Sequence, residues 1–192
     1  MAKRTPAPSE PTKQILLAGS GGQGVILAGK LLAAAAVAEG FNATYIPSYG
    51  PEVRGGTACC NVKIGRRHIG SPIVEDATLL VVMNQPSYEA YSHLLRKGST
   101  LVVNSSLVPE VRKHPGVKIL ALELTKIAAD MGSLRSANML VFGLCAGLVG
   151  LESDAQLKSI LENSLGKKNP AMLEVNEKIF EKGLELGRNG TE

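Results

Sequence analysis

A short apolar run, a glycine-rich turn and a long Ala-rich segment follow one another in residues 14–39, QILLAGSGGQGVILAGKLLAAAAVAE. Ile15 to Ala18 is too short for a helix and suits a buried strand. Gly19, Ser20, Gly21, Gly22, Gln23 and Gly24 form the turn. Val25 to Glu39, nearly all Ala, Leu and Val with one Lys, suits a mostly buried helix. Strand, glycine turn and helix open a βαβ unit, in which the backbone N–H groups at the helix start can face an anion.

Gly19, Gly21 and Gly24 satisfy the G-x-G-x-x-G spacing of dinucleotide-binding folds, but the same glycines also let a helix pack closely on a sheet. A dinucleotide site needs an acidic residue at the end of the second strand to hold a ribose. That strand is expected over Ala43 to Pro47, and its end reads Ile46-Pro47-Ser48-Tyr49, with no carboxylate. Glu39 falls too early and Glu52 too late, so the loop calls for another explanation.

The 192 residues suffice for one α/β domain with a full core. Aromatic residues make up 4% and Trp is absent, which argues against a stacking surface for single-stranded nucleic acid. The net charge of +4 comes from scattered basic residues and allows only a modest preference for anionic partners. Cys59, Cys60 and Cys145 form no C-x-x-C pair, and the adjacent two should point to opposite faces of a strand. No metal site is expected, and the thiols suit a reducing compartment. No apolar run reaches the length of a membrane span, and the expected location is cytoplasmic.

Met1 to Lys13 carries three prolines and reads as a flexible tail; residues 14–187 read as one domain and 188–192 as a second tail. The loop Ser48 to Gly56, SYGPEVRGG, surrounds Tyr49, Glu52 and Arg54 with Gly50, Pro51, Gly55 and Gly56. It is either an ordinary turn or a place where Arg54 meets a carboxylate or phosphate. Thr57 to Ile64 and His68 to Ile73, joined by Gly65-Arg66-Arg67, suggest a β-hairpin. Ala77 to Met83 reads as a central strand covered on both faces. Asn84 and Gln85 at its end are either crevice residues or the start of the next helix, Pro86 to Leu95. Strands are expected at Ser99 to Asn104 and Val117 to Ala121, and helices at Thr125 to Met131, Asn138 to Val149, Asp154 to Leu165 and Pro170 to Leu186. Gly143 and Gly147, four apart, allow close packing on a neighbouring helix or subunit. The architecture is an open, Rossmann-like α/β fold: a mixed, mostly parallel sheet with helices on both faces, a β-hairpin excursion and a helical C-terminal region. His68, His93 and His114 share no ligand spacing, and no nucleophile–His–acid set can be placed, so no catalytic residue is assigned.

GSGGQGV at Gly19 to Val25, SYGPEVRGGTA at Ser48 to Ala58, Val82-Met83-Asn84-Gln85 and Asn138-Met139 closely resemble the gamma subunit of 2-oxoacid:ferredoxin (acceptor) oxidoreductases. The resemblance covers about Ile15 to Gly187. It implies a complex that oxidatively decarboxylates a 2-oxoacid with thiamine diphosphate, transfers the acyl group to coenzyme A and reduces ferredoxin. Thiamine diphosphate with its Mg and the iron–sulfur clusters are then expected on alpha, beta and delta partner chains, and the isolated chain is expected to be inactive. The 2-oxoglutarate type is favoured over pyruvate or branched-chain oxoacids. The resemblance places Gly19, Gly21, Gly22, Gln23, Gly24 and Arg54 near the coenzyme A phosphates. Ser48, Tyr49, Gly50, Glu52, Gly55, Gly56, Asn84 and Gln85 become loop or interface residues. The competing readings are a stand-alone nucleotide-binding module and an assembly protein with a vestigial glycine loop.

Overall fold

A computed structural model describes residues 11–50, 56–165 and 170–191. The strands are β1 (Lys13–Ser20), β2 (Asn42–Tyr49), β3 (Thr57–Gly65), β4 (Ala77–Val82), β5 (Leu95–Asn104) and β6 (Lys118–Leu122). The helices are α1 (Val25–Ala38), α2 (Gln85–Tyr91), α3 (Leu124–Asp130), α4 (Ala137–Val149), α5 (Asp154–Leu165) and α6 (Pro170–Asn189). The six strands form one sheet in the order β2-β3-β1-β4-β5-β6. β1, β4, β5 and β6 pair in parallel, whereas β3 runs antiparallel to both β1 and β2.

The alternation of side chains along each strand divides the core in two. Ile15 and Leu17 of β1, Leu79 and Val81 of β4 and Val102 of β5 face a large cluster with α1, α4, α5 and α6. Leu16, Ala18, Leu80, Val82, Leu101 and Val103 face the opposite way, under Tyr88 and Tyr91 of α2. Cys59 lies in the smaller cluster and Cys60 in the larger one, so the adjacent cysteines do point to opposite faces. α1 is apolar almost all round because the sheet, α4 and α5 surround it; Lys30 is its exposed cation.

The antiparallel excursion differs in place from the expected one. It consists of β2 and β3, and His68 to Ile73 adds no strand. Both edges of β3 are already taken by β1 and β2, which leaves no ladder for a returning segment. The chain beyond β3 lies on the sheet as coil, where Val74 N donates to Asn61 Oδ1 at 3.0 Å. The helix expected over Pro86 to Leu95 ends at Tyr91, a single 3₁₀ turn follows, and Leu95 already belongs to β5. At the chain ends, β1 begins at Lys13 and α6 continues through Asn189.

Gly143 and Gly147 of α4 meet a second glycine pair, Gly183 and Gly187, on α6. A Cβ at Gly143 would collide with the Phe180 carbonyl, and one at Gly183 with the Leu140 carbonyl. The two backbones therefore approach more closely than any side chain allows.

Candidate functional site

β1 leads to α1 on one face of the sheet, while the adjacent, parallel β4 leads to α2 on the other. Ligand crevices of open α/β sheets form at such a switch point, outside the C-terminal ends of the strands. The glycine loop stands there. Gly24, at φ 71°, is the N-cap of α1, in the left-handed region that glycine enters freely. The Asn138 side chain, at the start of α4, lies directly against it: a Cβ on Gly24 would be 2.7 Å from Asn138 Cβ.

The loop is held from inside by side chains. Gln23 folds inward, its Oε1 accepting from Ser20 N at 2.7 Å and its Nε2 donating to the Met83 carbonyl at 3.2 Å. The Gln23 backbone N–H donates to Ser20 O at 3.1 Å. Asn84 does two things at once. Its Oδ1 accepts from Ser87 N at 2.9 Å, capping α2, while its Nδ2 donates to Ser20 Oγ. The reading of Asn84 as the start of the next helix holds, and its side chain also reaches the glycine loop. Asn104, fully buried at the end of β5, donates to Met83 O at 3.2 Å and to Thr125 Oγ1 at 2.8 Å. Its Oδ1 accepts from Thr125 N at 3.2 Å. A polar relay thus runs from the glycine loop across β4 and β5 to α3.

These bonds decide which amides can face an anion. Ser20 N is taken by Gln23, and Gly21 N donates to Gly56 O at 2.9 Å. The first bond of α1 is Ala28 N to Gly24 O at 3.0 Å, which leaves the amides of Val25, Ile26 and Leu27 without carbonyl partners four residues back. They border an open cleft of about 380 Å³, whose lining includes Ser20, Gly22, Lys30, Tyr45 and Tyr49. Lys30 has no ion-pair partner among the described residues, and Tyr49 is 70% exposed.

The chain matches the family model "Pyruvate ferredoxin/flavodoxin oxidoreductase" over residues 14–186. It belongs to that family. Among relatives, it is 33% identical over 187 residues to ketoisovalerate oxidoreductase subunit VorA of Methanothermobacter thermautotrophicus, covering 96% of this chain and 38% of VorA. The chain thus spans well under half the length of that relative. Its fold superposes with a TM-score of 0.85 on 2-oxoglutarate:ferredoxin oxidoreductase from Magnetococcus marinus, a structure with 2-oxoglutarate, coenzyme A and succinyl-CoA bound. That match is 25% identical and covers 94% of this chain and 32% of the other. The keto/oxoacid ferredoxin oxidoreductase gamma subunit from Geobacter sulfurreducens gives a TM-score of 0.75 at 30% identity, covering 91% of this chain and 98% of that subunit.

Within this family member, the residues singled out from sequence divide into groups. Gly19, Gly21, Gly22, Gln23, Gly24 and Asn84 come together at the crevice. Gly56 joins them through Gly21 N, and Gly50 N closes the base of the loop on Thr57 O at 2.7 Å. Ser48 and Tyr49 end the edge strand β2. Gln85 instead serves the loop after β5: its Nε2 donates to Glu110 O at 3.1 Å and its Oε1 accepts from Glu110 N at 3.3 Å. Glu52, Arg54 and Gly55 lie outside the described residues. Lys30, Asn104 and Thr125 were missed. Lys30 had a visible signal, as the one cation in an apolar helix; the bonding of Asn104 and Thr125 is non-local.

The thiols are poor nucleophile candidates. Burial, with Cys59 beside it, pushes the Cys60 thiol up to about 12; burial, then Cys60, likewise raises Cys145. Neither supplies thiolate at neutral pH. Among the described residues no group of three His, Cys, Asp or Glu side chains is placed to hold a metal ion, and no helix is long and apolar enough to cross a membrane.

Proposed function

We propose that this chain is the gamma subunit of a multi-subunit 2-oxoacid:ferredoxin oxidoreductase and that it contacts the phosphates of coenzyme A. The complex would convert a 2-oxoacid, 2-oxoglutarate by preference, and coenzyme A to acyl-CoA and CO2 while reducing ferredoxin. Thiamine diphosphate, Mg and the iron–sulfur clusters would be held by alpha, beta and delta partner chains, and the isolated chain would be inactive. The observation that carries the coenzyme A contact is the set of amides at Val25, Ile26 and Leu27 with no acceptor among the described residues, beside Lys30, at the switch-point crevice. A helix N-terminus favours an anion by about 1 kcal/mol, and a Lys on the same cleft adds a mobile positive charge. The 2-oxoglutarate enzyme of M. marinus, with coenzyme A bound, supports the reading by its fold.

A dinucleotide module is the weaker reading. β3 lies between β1 and β2, so the end of β2 stands two strand spacings, about 10 Å, from the end of β1. A ribose anchor at the β2 end would sit one strand further out than in a doubly wound dinucleotide fold.

Replacing Lys30 or Arg54 with Ala in the assembled complex should raise the apparent KM for coenzyme A about tenfold, which corresponds to about 1.4 kcal/mol of lost binding. Steady-state kinetics at saturating 2-oxoacid measures this. An unchanged KM together with lost assembly would make these cations interfacial and favour a purely structural subunit.

A further inference from the structure

We propose that Gln23 is a positioning residue: it braces the glycine loop against the end of β4 so that the first-turn amides of α1 hold their place. The inference rests on the coenzyme A reading above. Gln23 fits the phosphates poorly as a direct contact, because both polar atoms of its side chain are engaged within the protein. Its oxygen occupies the Ser20 amide, where an anion's oxygen would otherwise sit. Its nitrogen reaches Met83 O, the carbonyl that also accepts from buried Asn104. Asn84 Nδ2 lies 3.4 Å from the same Gln23 oxygen and also donates to Ser20 Oγ.

Only a side-chain amide of this length supplies an acceptor and a donor at these two places together. Glu would keep the acceptor but turn a carboxylate toward the Met83 carbonyl. Met would fill the space and make neither bond. Gly19 gives an independent handle on the same contact. A Cβ there would lie 2.6 Å from Gln23 Oε1, against 3.1 Å from both Met83 Cβ and Val25 Cγ1. Ala at position 19 therefore displaces the Gln23 amide first.

The test uses the assembled complex, with amide hydrogen exchange of residues 20–28 and steady-state kinetics on the same preparations. Gln23→Met and Gln23→Glu should both speed exchange of the hydrogen-bonded amides at positions 23 and 28, which hold the loop and the first turn of α1. Both should raise the KM for coenzyme A about tenfold or more while kcat stays within about twofold, as expected when binding groups are misplaced but the chemistry lies elsewhere. Gly19→Ala should raise the KM similarly, and Gly19→Ala/Gln23→Ala should fall well short of the sum of the two single effects, because both substitutions break the same Gln23 contact. A wild-type KM in Gln23→Met would reduce Gln23 to a space filler and overturn the proposal. Unchanged exchange in the Gln23 variants, with Lys30→Ala still raising the KM, would overturn the brace and leave the coenzyme A reading standing. Faster exchange with every KM unmoved would refute the coenzyme A reading and the positioning role with it.

Discussion

Gly183→Ala is expected to lower the melting temperature of the purified protein by about 6–12 °C, with Gly143→Ala close behind. The new methyl group at position 183 would overlap the Leu140 carbonyl and press on Leu144 N, and the one at 143 would overlap the Phe180 carbonyl and press on Leu184 N. Those atoms belong to helix backbones and cannot rotate aside as a side chain tip can. Relief requires α4 and α6 to separate along a contact that buries Phe142 and Phe180, whose rings lie 5.0 Å apart. Overpacking of this kind costs about 3 kcal/mol, and each kcal/mol shifts the midpoint by about 2–4 °C in a chain of this size. Gly70→Ala is the control. Its Cβ would meet nothing within 4 Å, and thermal unfolding should move by less than about 0.5 kcal/mol.

Asn104→Leu is expected to be the second large loss, about 2–3 kcal/mol or roughly 5–10 °C. Leu keeps the branched heavy-atom skeleton with bulkier ends, so most of the cost comes from polar groups left behind. Thr125 N, at the first turn of α3, loses the Asn104 oxygen, and Thr125 Oγ1 and Met83 O each lose a donor. Met83 O keeps Gln23, so the damage should fall more on α3 than on the glycine loop. Hydrogen exchange read beside the melting curve would show it: α3 amides should exchange faster while those of Ile15 to Ala18 in β1 stay protected. Loss of protection throughout the sheet would mean that Asn104 supports the whole C-terminal edge.

The opening strand, turn and helix were legible because their signals are local. Ile15 to Ala18 is an unbroken apolar run, the glycines follow at once, and Lys30 is the one charge inside α1. The ends of β4 and β5 were legible for the same reason. The returning strand at His68 to Ile73 was not, since whether a segment pairs depends on which strand edges remain open. β2, its neighbour in sequence, fills one edge of β3, and β1, about forty residues back, fills the other. Gly143 and Gly147 signalled close packing, but the matching pair at Gly183 and Gly187 has the same spacing inside a charged helix, where the pattern is masked. Gln23 reads from sequence as a loop residue facing the coenzyme A phosphates, and its contact with the Met83 carbonyl, sixty residues on, is invisible there. Side chains that satisfy a distant backbone group leave no periodic trace in sequence.

Whether coenzyme A touches this chain decides between a ligand-binding and a purely structural subunit. Amide hydrogen exchange of the assembled complex, with and without saturating coenzyme A, reads this at the residues concerned. The prediction is slowed exchange at Gly22 and Gly24 to Leu27, with no change in α4 or α6. Protection confined to the partner chains, with the start of α1 exchanging at the same rate in both states, would contradict it.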